Sequence, residues 1–203
     1  MRRKVFDLLA SAGGVMLVVV LAAAGALLTW GWTYTNSTVH NQLAMQQIYF
    51  PPKAAFAHAK AGTEITPSMI PSVSQYAGQQ LLTGQQAEVY ANDFIAVHLS
   101  EMPYHGVYAT ISSAARAAKP GSAKATSLAA VEQTSFQGTT LRGLLLEAYG
   151  FWTFGQIAFW SSIISFCLAF VMAILSGLGL WHARRVPADL ELLRGSEAAR
   201  RTA

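Results

Sequence analysis

Apolar residues gather into two uncharged runs, Leu8 to Trp32 and Phe151 to Trp181, one near each end of the chain, with a polar stretch of about 118 residues between them. Each run exceeds the ~20 residues that a helix needs to cross ~30 Å of hydrocarbon. The pattern therefore predicts a membrane hairpin with a domain between its spans. Aromatic residues mark the water interfaces. Trp30 and Trp32 close the first span, and Trp160 and Trp181 bracket the core of the second, about 33 Å at 1.5 Å per residue. The surplus run from Phe151 to Phe159 reads as the same helix continuing outward, with Trp152 and Phe154 packed in the domain.

Between the spans, helical spacing predominates. Trp32, Val39, Leu43 and Phe50 recur on one face, which predicts that the first span continues as a helix to Phe50, where Pro51 and Pro52 end it. Lys53 to about Pro71 reads as a loop. Thr83 with Gln86 three residues later forms a capping-box pattern, opening a helix to about Ser100. Its apolar side is Ala87, Ala91, Phe94, Ile95 and His98, with Glu88, Asn92 and Asp93 on the other. A short helix over Val107 to Ala118, a turn at Lys119 to Ser122 and a long helix from about Leu128 into the second span complete the pattern. No segment alternates apolar and polar residues like a strand. The expectation is an all-α membrane protein, its two transmembrane helices extended into a helical extracytoplasmic domain. The boundaries are residues 1–7 for a basic N-terminal tail, 8–32 for the first span, 33–150 for the domain, 151–181 for the helix holding the second span (core 160–181) and 182–203 for a basic C-terminal tail.

Charge gives the orientation. Arg2, Arg3 and Lys4 precede the first span, and Arg184, Arg185, Arg194, Arg200 and Arg201 follow the second. The domain balances Lys53, Lys60, Arg116, Lys119, Lys124 and Arg142 against Glu64, Glu88, Asp93, Glu101, Glu132 and Glu147, so the net +4 resides in the tails. Positive tails predict a multi-pass protein of the cell membrane with both termini cytoplasmic, touching anionic lipid rather than nucleic acid. A cleaved leader, with Ala22, Ala24 and Ala26 as small-residue sites, is the alternative; the apolar run continues past them through Leu27, Leu28 and Trp30, which favours an uncleaved anchor.

Small residues predict how the spans pack. Ala169, Ala173 and Gly177 recur every fourth residue in the second, and Ala22 and Ala26 in the first, a small-xxx-small pattern that lets helix backbones approach. Neither hydrocarbon core holds a charged residue or histidine, which argues against a proton or ion path through this chain alone. The lone cysteine, Cys167, lies within the second span and leaves no intrachain disulfide.

The sharpest candidate chemistry is His98, Glu101 and His105, three possible metal ligands within eight residues. His98 and Glu101 have the spacing of helical metal ligands, whereas His105 lies beyond Pro103. The alternative reading makes His98 a hydrogen-bonded core residue and the other two surface residues. With no HExxH, nucleophile elbow, phosphate loop or dinucleotide fingerprint, the expectation is no enzyme, no cofactor and no metal. Asn36-Ser37-Thr38 matches a glycosylation pattern but stands close to Trp32. Side-chain amides are more suggestive: Asn41, Gln42, Gln46 and Gln47 on the first helix, and Gln79, Gln80, Gln85 and Gln86 around the middle one. They suit bonds between helices or to a partner, though a solvated face is the simpler reading.

Four stretches carry a resemblance: Val5 through Trp32, HNQLAMQQIYFPPK from His40 to Lys53, YAGQQLLTGQQAEVYANDFIAVHL from Tyr76 to Leu99, and FQGTTLRGLLLEAYGFWTFGQIA from Phe136 to Ala158. Together they make the chain similar to a group of two-span membrane proteins of actinobacteria. The resemblance implies location and architecture rather than activity. Similar chains are sometimes labelled aromatic ring-opening dioxygenases, a chemistry that needs an iron site and a soluble catalytic fold, for which these residues give no support. The expected function is therefore that of a non-catalytic accessory or scaffold subunit, with the lipid bilayer and a membrane protein, or a second copy, as partners. The alternative is an extracytoplasmic ligand sensor signalling through a separate chain, because the residues from His182 onward are too few for an output domain.

Overall fold

The structure, a computed structural model, describes residues 3–187. Arg2 and the tail segment carrying Arg194, Ser196, Arg200 and Arg201 lie outside the described residues. Two helices dominate, α1 (Arg3–Gln46) and α7 (Ala123–Arg185). Between them come α2 (Lys53–Phe56), α3 (Ile70–Val73), α4 (Gly84–Val89), α5 (Ala96–Glu101) and α6 (Tyr108–Ala117). Among the described residues the only β feature is a single antiparallel bridge, Tyr49 with Gln80. The chain divides into two compact units, one comprising residues up to Trp32 and from Gln156 onward, the other Thr33–Gly155.

In the first unit, both helices contain 18-residue windows of mean hydropathy 2.3 and 2.5, long and apolar enough to cross a membrane. Only 11% and 17% of those windows are buried, so their apolar side chains face outward. The inward seam of α1 is Asp7, Ser11, Gly14, Val18, Leu21, Gly25, Leu28 and Trp32. That of α7 is Ser162, Ser165, Ala169, Met172, Ser176, Gly179 and Ala183. Steps alternate between three and four, the 3.5-residue repeat that holds one helix face against a partner. This corrects the expected stripe. Ala169 is on the seam and Ala22 is half-buried beside it, but Ala26, Ala173 and Gly177 are exposed, because a strict step of four drifts around the helix and off the contact. Close approach belongs instead to glycines: Gly14 opposes Ser176, Gly179 opposes Ser11, and a Cβ on Gly25 would lie 2.9 Å from the Phe166 ring. Ser165 Oγ donates to the Leu21 carbonyl at 2.8 Å, and the Trp32 and Phe159 rings pack at 4.8 Å.

The second unit has its own core, made of Val39 and Leu43 from α1, Leu145 from α7, and Phe50, Met69, Val73, Leu81, Ala87, Ala91 and Ile95 from the segments between. Helix α1 stops at Gln46, earlier than the proline pair suggests. Gln47 takes a positive φ of 53°, and Gln80 Nε2 donates to the freed Ala44 carbonyl at 3.0 Å. The chain then pairs briefly: Phe50 N–H with the Gln79 carbonyl and Leu81 N–H with the Ile48 carbonyl, both 2.9 Å. The expected loop, Lys53 to about Pro71, contains α2, a 3₁₀ turn, Pro67–Met69, and the start of α3; a second 3₁₀ turn, Ser74–Tyr76, follows.

The capping box at Thr83 is present, with the Thr83 hydroxyl accepting from Gln86 N–H. The Gln86 side chain accepts from Thr83 N–H at 3.1 Å and Leu82 N–H at 2.8 Å, and donates to Gln79 Oε1 at 3.1 Å. Gln86 is buried and Gln80 half-buried, and both bond within the fold, contrary to the solvated-face reading; Gln79 is exposed but bonds to Gln86, and Gln42, Gln46 and Gln85 are exposed. Helices α4 and α5 join through a π-helical segment, Tyr90–Ile95, rather than one regular helix. Helix α7 starts at Ala123, five residues before the expected Leu128, because the Ser122 hydroxyl caps it by accepting from Ala125 N–H at 3.2 Å. Gly84 lies flat against Trp152, where any side chain would meet the indole.

Candidate functional site

The three candidate metal ligands, His98, Glu101 and His105, do not converge. His98 is half-buried, its ring edge-on to Phe94 at 4.6 Å, with Nδ1 2.8 Å from the Phe94 carbonyl oxygen one turn earlier. A carbonyl only accepts, so this bond places the proton on Nδ1. Glu101 is exposed at the end of α5. Met102 then turns extended, and Tyr104 and His105 adopt φ of 56° and 52° before Gly106. That left-handed turn carries the exposed His105 away from the helical register His98 and Glu101 share. Among the described residues, no group of three or more His, Cys, Asp or Glu is arranged to hold a metal ion.

The prominent concavity of the second unit is elsewhere, a groove of about 620 Å³ between α1 and α7. Its floor is Val39, Leu43 and Leu145, all buried. One wall is Thr38, Gln42 and Gln46, which recur every fourth residue and so share one face of α1. The other wall is Leu144, Glu147, Phe151 and Phe154, at steps of three and four along α7. Phe154, expected to pack in the domain, is 69% exposed; of the two, Trp152 packs against the core, since the two rings point from different sides of α7. An apolar floor between an amide wall and an aromatic wall offers burial to a hydrophobic group and hydrogen bonds to its polar edge. The volume lies within the ~300–1,000 Å³ typical of binding clefts. The amides at Gln42 and Gln46 and the leucines at Leu144 and Leu145 were visible in the sequence; their position on facing walls was not, because the crossing of α1 and α7 is tertiary information.

A charged network joins the middle helices to α7. Asn92 Nδ2 donates to Glu88 Oε1 at 3.0 Å, and Arg142 donates to Asn92 Oδ1 at 2.9 Å, so an amide relays between opposite charges. Nearby, Phe50 packs against Tyr76 and Tyr90, and Tyr90 against Phe94. Burial, with the Glu64 carboxylate adding to it, holds the Tyr90 hydroxyl above its ordinary 10.0. Tyr76, Tyr90 and Phe94 pack, partly buried, against the core of this unit.

Comparison of the chain with known protein families, with curated proteins and with solved structures finds no match.

Proposed function

We propose that the protein is a non-catalytic integral membrane protein, an accessory or scaffold subunit whose helical domain lies outside the cytoplasm and holds a partner in the groove between α1 and α7. The observation that carries the membrane reading is the outward exposure of two apolar helical windows of mean hydropathy 2.3 and 2.5. A water-soluble chain rarely exposes a contiguous apolar surface of that extent; lipid makes it the favoured surface. The basic ends support an arrangement with both termini cytoplasmic. Within the domain, the groove's exposed Leu144, Phe151 and Phe154 form the apolar stripe on which a partner helix can lay its own apolar face.

A second reading, a sensor taking a small apolar ligand in the same groove, is favoured by the groove's volume of about 620 Å³. One experiment separates the two. The protein is purified natively in mild detergent, with and without Phe154→Ser, and co-purifying chains are identified. A stoichiometric companion lost on Phe154→Ser supports the scaffold. A chain that purifies alone and yields a small molecule on organic extraction, lost in the same variant, supports the sensor. Full release from membranes at alkaline pH would overturn both.

A further inference from the structure

We propose that a crevice between the two long helices, at the end where α1 begins and α7 finishes, binds a phosphodiester headgroup bearing a primary ammonium, the chemistry of phosphoethanolamine. The proposal rests on the membrane reading above. The crevice has a volume of about 220 Å³, and its walls include Asp7, Ser11, Ser176, Gly179 and His182. That is several times the ~30 Å³ share of one water molecule. Asp7 Oδ2 and Ser176 Oγ are both buried without a hydrogen-bond partner among the described residues. Ser176 as a residue is only 5% exposed. Buried polar atoms are normally satisfied, and leaving them unpaired is costly, so two on the walls of one crevice point to a missing polar occupant.

The atoms select the occupant's chemistry. A carboxylate only accepts, so the group facing Asp7 has to donate, and a positive charge strengthens that bond. A primary ammonium carries three N–H donors, enough for Asp7 Oδ2, Ser176 Oγ and one hydroxyl more, with Ser11 on the same wall. His182 lines the crevice on the α7 side and Lys4 stands one turn before Asp7 on α1, N–H donors suited to a phosphate at this end of the helix pair. Depth agrees: Asp7 precedes Trp30 by 23 residues and His182 follows Trp160 by 22, about 33–35 Å of helix, so indoles at one interface put the crevice at the other. Glycines at 14 and 179, where side chains would fill the contact with Ser176 and Ser11, keep the helix pair close beside it.

The test uses the full chain in nanodiscs of defined lipid, with native mass spectrometry after mild detergent release. Phosphatidylcholine is the discriminating probe, because its quaternary ammonium has charge but no N–H. The expected result is retention of phosphatidylethanolamine over phosphatidylcholine, reduced about tenfold by Asp7→Asn and several-fold by Ser176→Ala, with thermal stability tracked in both. Asp7→Glu, which keeps the charge, should restore most of the preference. Displacement by free phosphoethanolamine at matched concentration would assign the same chemistry to a soluble ligand; resistance to it assigns the lipid. Equal retention of the two lipids, or retention indifferent to Asp7→Asn in a variant that remains folded, would overturn the inference and leave the crevice to water. A chain that does not stay in membranes at alkaline pH would fail the membrane reading separately, before any lipid is compared.

Discussion

Ser165 donates its hydroxyl proton to the backbone carbonyl of Leu21 at 2.8 Å, tying α7 to α1 four residues before Ala169 and opposite the approach to Gly25. In a lipid environment, packing and such bonds hold helices together, because burial of apolar surface gives little advantage over lipid. Ser165→Ala should therefore lower the stability of the helix pair by roughly 0.6–1.7 kcal/mol. Gly25→Leu should cost more, about 1–3 kcal/mol, because its Cβ alone would already crowd the Phe166 ring. Ala173→Leu, on an exposed face, should be nearly neutral. Thermal denaturation in detergent, followed by size-exclusion chromatography, checks the order; Ala173→Leu as harmful as Gly25→Leu would restore the step-of-four stripe.

The Thr83 cap and the Gln86 side chain are predicted to differ in weight. Thr83→Ala removes one capping bond and should cost about 1 kcal/mol. Gln86→Ala strips acceptors from two backbone N–H groups and a donor from Gln79, in a buried setting, and should cost roughly 2 kcal/mol or more. Thermal shifts of the two full-length variants measured side by side test this; equal shifts would mean that Gln86 contributes only its half of the box.

Tyr90 predicts a loss of stability in alkali. Its folded pKa is raised by burial and by Glu64, so above the ordinary value of 10.0 the unfolded chain gives up the proton first. The folded state then binds more protons than the unfolded, and stability falls as pH rises from about 10 toward the raised value. Tyr90→Phe has no such proton and should flatten that part of the stability profile. A profile between pH 9 and 11 that is unchanged by Tyr90→Phe would show that the burial is relieved in solution.

How much of this was legible in the chain varied with the range of the interactions involved. The two apolar runs, the Thr83-Gln86 box and the breaks at Pro103 and Lys119 to Ser122 are local signals, and the helices follow them closely. The end of α1 has no local signal, because Gln47 turns the chain and Gln80, distant in sequence, bonds to the carbonyl of Ala44. Helix α7 begins before Leu128 because Ser122, a turn residue by composition, also serves as its cap. The seam is partly readable: its glycines and serines recur at alternating steps of three and four, alongside alanines at a step of four that leave the contact. The His98, Glu101 and His105 grouping looked compact in sequence, yet a left-handed turn at Tyr104 and His105 separates it in space. Neither the groove nor the Asp7 crevice has a local signature, since each needs α1 and α7 to meet.

A two-span hairpin with its domain on the far side of the membrane from both ends is tested most directly by thiol labelling on intact cells. In a Cys167→Ala background, cysteine is introduced singly at Ser122, in the turn before α7, and at Ser196, in the basic tail. A membrane-impermeant maleimide should label the Ser122→Cys protein on whole cells and the Ser196→Cys protein only after the membrane is opened. Equal labelling of the two on intact cells, or the reverse order, would contradict the hairpin.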